Sequence, residues 1–295
     1  MFNKAQKMIE EQKPNNSTET AILPMQCCVQ YGLELNKIYN ESNLETMKRM
    51  PNNYVDLTVT SPPYDGLRTY NGYSFPFEEI ANELYRVTKE GGAVVWVVSD
   101  GTIEGEESGT SFRQALYFKE CGFKLYDTMI YHRQSGNPPT NKYWQNFEYM
   151  FILTKGKPKS VNILRDRKNK YLKMGGDNVR QKDGSLKKGD RGGIQFNENG
   201  IRENIWYYAV GKNCSSIDEV AFEHPAIFPE KLAEDHILSW SNENDIVYDC
   251  FGGSGTVAKM AHKWKRNWIL SEISSEYAQI AEKRIAPYLA QTSLF

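Results

Sequence analysis

Ser61-Pro62-Pro63-Tyr64 follows the strand-like run Val55 to Thr60 and could orient a flat group that carries an amine. The Ser61 hydroxyl and the Pro62 carbonyl are hydrogen-bond acceptors. Proline rings fix φ and stiffen the loop, and an aromatic ring on a stiff loop can stack a base extruded from a duplex. The exocyclic amine of cytosine or adenine is a weak nucleophile because its lone pair is conjugated into the ring. Acceptors for its hydrogens rotate that lone pair toward an electrophile. Ser61 is too weak a base to take the proton beforehand, so deprotonation accompanies or follows bond formation, and orientation supplies most of the rate. Out of context, Ser-Pro-Pro is an ordinary extended turn. Its place at the end of a buried strand makes it a candidate.

The second constellation is Asp249-Cys250-Phe251-Gly252-Gly253-Ser254-Gly255-Thr256, after Asp245-Ile246-Val247-Tyr248. Gly253 to Ala258 reads G-x-G-x-x-A, and Glu272 ends the next strand. Glycines let the backbone approach a ligand closely, and the acid can accept hydrogen bonds from ribose hydroxyls. NAD and S-adenosylmethionine both carry that ribose, and a tight turn with no ligand is a third reading. Position separates the two cofactors. Too little chain follows Glu272 to complete a dinucleotide domain, so the remaining strands come from earlier in the chain. That order fits a dehydrogenase poorly.

These loops need a sheet to hold them. Helices are expected around Leu44 to Met50, Phe77 to Thr88 (closed by Glu90-Gly91-Gly92), Ser111 to Glu120, Pro229 to Leu238, Thr256 to Lys263, and from Ser274 through Ile285. Strands are expected at Val55 to Thr60, Ala93 to Val98, Asp127 to His132, Phe147 to Thr154, Asn204 to Ala209, Asp245 to Asp249 and Trp268 to Ser271. This alternation argues a mostly parallel α/β sheet, whose strand ends carry the ligands.

The 295 residues allow an ample core, and no apolar run approaches a bilayer span, so no membrane partner is expected. Cys27, Cys28, Cys121, Cys214 and Cys250 show neither metal-ligand spacing nor a disulfide framework. The expectation is no metal and a reducing cytoplasm. Net charge is −1, yet Lys155 to Arg202 holds 14 Lys/Arg against 5 Asp/Glu, a local excess of +9. Such a segment reads either as a polyanion contact or as a solvated loop. It lacks hydrophobic periodicity and contains Gly pairs, so a loop-rich insertion is expected.

Together these motifs resemble the amino-methyltransferase family of DNA-modifying enzymes, cytosine-N4 and adenine-N6, in its β arrangement. There the catalytic loop comes first, then target recognition, then the cofactor loop. The resemblance spans about Leu35 to Ile285. A third motif, His224-Pro225-Ala226-Ile227-Phe228-Pro229-Glu230-Lys231-Leu232, matches the segment that wraps the methionine end of the cofactor. The resemblance implies an α/β, Rossmann-like S-adenosylmethionine methyltransferase sheet with circularly permuted motif order and a loop-rich target-recognition insertion. It implies catalysis by Ser61, Pro62, Pro63 and Tyr64. It implies S-adenosylmethionine contacts from His224, Phe228, Pro229, Asp249, Phe251, Gly253, Ser254, Gly255, Thr256 and Glu272. Residues 1–22, polar and holding Pro14-Asn15-Asn16-Ser17, are expected to be a disordered arm, and the resemblance divides the rest into a catalytic half (23–154), a target-recognition region (155–213) and a cofactor half (214–295). Double-stranded DNA is the implied partner, with a cognate restriction nuclease and a homodimer as further implied associations.

Two departures stand out. Cys250 replaces the family's proline. Glu41-Ser42 stands where Gly-Asp usually contacts the cofactor adenine, so either Glu41 substitutes or the contact is lost. Ser61 leans toward cytosine N4, with adenine N6 the alternative. Asp65, Arg68, Tyr70 and Tyr73 would line a DNA cleft or form an exposed aromatic loop. Trp144, Phe147 and Glu148 are expected to pack, and Asp100 is an edge residue of open role. Competing classes are a nicotinamide-dependent oxidoreductase, a non-catalytic DNA-binding module, and an enzyme methylating protein or RNA amines.

Overall fold

The structure is a computed structural model that describes residues 32–63, 75–133, 140–170, 178–188 and 196–292. The first half runs β1 (Lys37–Tyr39), α1 (Asn43–Lys48), β2 (Val55–Thr60), α2 (Phe77–Val87) and β3 (Thr88–Val98). A small hairpin, β4 (Thr102–Ile103) and β5 (Glu106–Glu107), leads to α3 (Thr110–Glu120), β6 (Lys124–His132) and β7 (Phe147–Thr154). Four short strands follow: β8 (Arg167–Lys168), β9 (Asn178–Arg180), β10 (Leu186–Lys188) and β11 (Asn199–Gly200). The last part is β12 (Ile205–Tyr207), a 3-10 turn (Glu219–Glu223), α4 (Glu230–Trp240), β13 (Ile246–Asp249), α5 (Thr256–Lys263), β14 (Asn267–Ser271) and α6 (Ser275–Thr292).

Among the described residues eight strands form one sheet, in the order β1-β14-β13-β2-β3-β7-β6-β12. Every neighbouring pair is parallel except those made by β7, which runs against β3 and β6. The central strands are buried on both faces, as continuous apolar runs require. Ala93, Val95 and Val97 of β3 pack with Leu232 and Ile237 of α4 and Val257 of α5. Val94, Trp96 and Val98 face the other way, with Ile80 and Leu84 of α2 and Phe118 of α3. The Trp96 indole N–H inside that layer donates to Gln114 Oε1 at 2.8 Å. None of the described helices is long and apolar enough to cross a membrane.

The order matters for function. After β2 the chain crosses to β3 on one side, while β13 pairs on the other. Loops leaving the carboxyl ends of β2 and β13 therefore diverge, and a crevice opens between them.

The expected elements are present, with one correction at a helix end. Glu90-Gly91-Gly92 does not close α2, which stops at Val87 with extended backbone at Thr88. The glycines lie inside β3. Gly91 has φ +79°, its N–H donates to the Lys155 carbonyl at 2.7 Å, and its carbonyl accepts from Lys159 N at 2.9 Å. A Cβ there would stand 2.9 Å from Lys159 Cβ. The glycine serves close approach of a neighbouring segment, not helix capping.

The basic stretch does form small, loop-rich pieces. Among the described residues β8 pairs with β11 alone, and β9 with β10 alone. Its two ends are structural. Lys155 is buried, and its ammonium donates to Asn53 Oδ1 and to the carbonyls of Tyr85 and Thr88, at 2.9–3.0 Å. Arg202 pairs with Asp166 and with buried Asp235. These two cations hold the body together, while Lys168, Arg180, Lys182, Lys187 and Lys188 are exposed. We expect Gly91→Ala to destabilise the protein by about 1–3 kcal/mol, from positive-φ strain plus crowding at Lys159. Urea unfolding would measure it, and full stability in the variant would contradict the close-approach account.

Candidate active site

The loops after β2 and β13 enclose a cavity of about 1380 Å³ at the divergent strand ends. Ser61, Pro62 and Pro63 line one wall, and Asp249, Phe251, Gly253, Ser254 and Thr256 line the other. Glu272, after β14, and His224, Phe228 and Pro229 complete the ring. Tyr64 lies outside the described residues, as do Asp65, Arg68, Tyr70, Tyr73 and the 1–22 arm. Gly255 does not line the cavity. It has φ +77° ahead of α5, and a Cβ there would lie 3.0 Å from Ala281 Cβ. Its role is the turn and the packing against α6.

Two buried carboxylates face this space. Asp249 Oδ1 accepts from Thr60 Oγ1 at 2.7 Å and from Phe251 N at 3.1 Å. Burial pushes its carboxyl up to about 7, with those two hydrogen bonds pulling the other way. Glu272 accepts from Gly253 N and from Ser274 N, each at 2.8 Å. Burial raises its pKa as well, opposed by these backbone donors. Both acids are therefore held in fixed positions by backbone and hydroxyl donors. Gly253 has φ +48°, and a Cβ there would come within 3.1 Å of His224 Nε2. The imidazole lies close over the glycine loop and edge-on to Tyr277, with ring centroids 4.3 Å apart. Fixed acids, a bare glycine backbone and an aromatic wall suit a ligand with a ribose and a positive centre.

A family model described as DNA methylase matches residues 55–283 of the chain. The orphan methyltransferase M.BamHII of Bacillus amyloliquefaciens is 59% identical over 247 residues, covering 80% of this chain and 90% of that protein. The type II methyltransferase M.BglII of Bacillus subtilis is 29% identical, covering 84% and 68% respectively. Among solved structures, the PvuII DNA methyltransferase, described as cytosine-N4-specific, superposes with a TM-score of 0.63 at 21% identity. It covers 84% of this chain and 85% of that one. The chain belongs to the N6/N4 DNA methylase family. It is an S-adenosylmethionine-dependent DNA methyltransferase of α/β fold.

In the methyltransferase, a buried charge network fastens the two cofactor-side segments. Arg284 of α6 is fully buried and donates to the Ser254 carbonyl and hydroxyl and to Thr256 Oγ1, at 2.8–3.1 Å. It also pairs with Asp218 (2.8 Å) and Glu230 (2.6 Å). Lys259 of α5 contacts the same two acids at 2.7 and 2.8 Å. The glycine loop and the stretch flanking His224 to Pro229 are thereby held in one register. Sequence reasoning missed Lys259 and Arg284. For Arg284 the signal was there, a charge on the helical face of Ile280 and Ala281; Lys259 carries none, since its neighbours three and four residues away are Gly255, Thr256, His262 and Lys263.

Three further residues take defined places. Glu41, one of the two alternatives for the family's adenine contact, pairs with Arg49, accepts from Thr46 Oγ1 at 2.7 Å and does not line the cavity. Ser42, Asn43 and Leu44 line the cavity instead, and Asn43 Nδ2 donates to the Cys250 carbonyl at 3.0 Å. Asp100 accepts from Ser111 N at 2.8 Å and from Ser111 Oγ at 2.5 Å, which ties down the start of α3. Glu148 lines the cavity opposite the cofactor acids and pairs with Arg133 at 2.8 Å, so it is not a packing residue.

Two outcomes test this site. Above pH 7 the native protein bears the cost of ionising buried Asp249. The unfolded carboxyl titrates near 3.8, so the native state holds the proton more tightly and stability falls as pH rises from about 4 to 7. Asp249→Asn removes that titration. Urea unfolding should show it about 2–4 kcal/mol more stable than wild type at pH 8, and the gain should vanish near pH 4. Arg284→Ala leaves Asp218 and Glu230 short of a buried partner and should cost about 3–5 kcal/mol in urea unfolding; a loss below about 1 kcal/mol would remove the network from this role.

Proposed function

We propose that the protein methylates the N4 amine of a cytosine flipped out of double-stranded DNA. One observation carries the reading: Ser61-Pro62 and the Asp249/Glu272 acids face one cavity at the sheet's switch point. When bound, S-adenosylmethionine supplies an electrophilic methyl group. Asp249 and Glu272 are suited to its cationic centre and ribose hydroxyls, Gly253 to close approach, and His224 and Phe228 to enclosing its methionine end. Cation binding favours ionised Asp249, so that end should bind more tightly as pH rises through about 7.

Ser61 Oγ and the Pro62 carbonyl accept hydrogens of the target amine and hold its lone pair toward the methyl group. Thr60, hydrogen-bonded to Asp249, fixes the start of that loop. Ser61 at the first motif position supports cytosine, as does likeness to a fold described as cytosine-N4-specific. Residues 155–213 supply target recognition in this reading, with the exposed cations of β8 to β10 on phosphates. Association as a homodimer, or beside a cognate nuclease, belongs to the same reading.

Tritium transfer from labelled S-adenosylmethionine to mixed-sequence DNA, with mass analysis of the nucleosides, tests it. The expected product is N4-methylcytosine, with the rate cut about 10²-fold or more in Ser61→Ala. N6-methyladenine would overturn the base assignment. No labelled base in any DNA would overturn the reading itself.

A further inference from the structure

A flipped base does not enter the cavity alone. Its nucleotide is turned out about the backbone, so the two flanking phosphates arrive at the cavity mouth with their charge. Among the described residues, the cavity is lined by two permanent cations, Arg133 and Lys212. Arg133 Nε lies 2.8 Å from Glu148 Oε1. Lys212 is held far more loosely. Its ammonium stands 3.8 Å from Glu219 Oε1, beyond hydrogen-bond reach, and the two side chains are 68% and 89% exposed. So open a pair contributes little and gives way to another anion at small cost.

The backbone beneath this loose charge is fixed. Lys212 follows Gly211, which has φ +103°, in a compact turn. Cys214 N and Ser215 N both donate to the Gly211 carbonyl, at 3.1 and 3.0 Å, and Gly211 N donates to Ser215 Oγ at 3.1 Å. Ser215 and Ser216 are buried. The Ser215 carbonyl accepts from Glu230 N at 2.9 Å, and Ser216 Oγ donates to Glu230 Oε1 at 2.6 Å. Glu230 is the acid shared by Lys259 and Arg284, and Arg284 also holds the Ser254 carbonyl. The turn that carries Lys212 is therefore fastened to the same scaffold as the glycine loop.

Two anions could meet this ammonium, a nucleotide phosphate and the carboxylate at the cofactor's methionine end. Burial favours the first. Asp249, Ser254, His224 and Glu272, the residues suited to the cofactor, are all buried, whereas Lys212 is exposed to solvent. An exposed cation at the rim meets the part of a ligand that stays outside, and for a flipped nucleotide that part is its backbone. Lys212 is also the last cation of the stretch 155–213, which carries the basic excess.

We propose that Lys212 binds a phosphate flanking the flipped nucleotide, which takes the place of Glu219 beside the ammonium. The assignment rests on the base-flipping methylation reading above. An ammonium offers donors in any direction and no planar fork, so it positions the backbone without reading sequence. The extruded nucleotide is thereby held at the mouth while its base lies inside, beside Ser61.

DNA affinity against salt concentration, with S-adenosylhomocysteine bound and on a duplex that the wild type methylates, is the test. Lys212→Gln should lower the slope of log affinity against log salt by about 0.9, with an unchanged melting temperature, and Lys212→Arg should keep the wild-type slope. A neutral methylphosphonate at one of the two phosphates flanking the target base should weaken wild-type binding as much as Lys212→Gln does, and combining the two should cost nothing more. An unchanged slope in Lys212→Gln would overturn the assignment, as would additive losses with the methylphosphonate at each flanking position. Weakened S-adenosylhomocysteine binding in Lys212→Gln would also overturn it, by placing the ammonium on the cofactor carboxylate. Those results in a protein that still methylates DNA would sink this assignment alone. If the wild type methylated no DNA, the methylation reading would fall, and this assignment with it.

Discussion

The Thr60 hydroxyl donates to Asp249 across 189 residues of chain, and the rest of the site depends on that contact. Thr60 is the last residue of β2, and Asp249 is the last of β13. Their strands are parallel neighbours, so both carboxyl ends reach the same edge together. The bond locks the catalytic loop to the cofactor loop at their shared origin, before the two diverge. It forms where neither partner is exposed to water, at 1% and 5% exposure, so the acceptor has little solvent to fall back on. Asp249 is thereby held as a carboxyl whose charge is costly without a cation nearby. The strain of burying it is placed where a cationic ligand would relieve it.

Around that contact the fold adds rigidity from outside the cavity. Arg284 and Lys259 reach from α6 and α5 to Asp218 and Glu230, and Arg284 also reaches the Ser254–Thr256 turn. Removing one member of such a buried set strands the others, which is why the segment beside His224 cannot shift independently of the glycine loop. The binding surface is thus assembled from three distant pieces of chain, each short and irregular on its own. Preorganised donors and acids of this kind are what transfer chemistry needs, because orientation carries most of the rate.

The basic insertion shows the opposite economy. Its boundary residues, Lys155 and Arg202, are spent on the body of the protein, where they satisfy carbonyls and a buried acid. Between them, Arg167, Lys168, Arg180, Lys187 and Lys188 stand on two-stranded pieces, and they remain exposed. A count of charges along the chain cannot separate the two groups, since a buried lysine and a solvated one look alike in sequence.

Local chemistry made much of the protein legible. Continuous β-branched runs mark doubly buried strands, glycine spacing marks the turn after β13, and the order of motifs fits a dehydrogenase arrangement poorly. The helices and strands follow from these patterns because each depends mainly on near neighbours. Gly91 was misread because a glycine after a helix and a glycine beside a packed segment share one residue type, and only the Lys155–Lys159 approach tells them apart. Glu41, Glu148, Lys259 and Arg284 are charged residues whose function depends on partners brought close by the sheet. Sequence determined that this chain builds an α/β methyltransferase with two loops of defined chemistry. Tertiary structure decided which carboxylates share the cavity and which cations are buried, because charge pairing acts through space and the pairing distance is set by strand order.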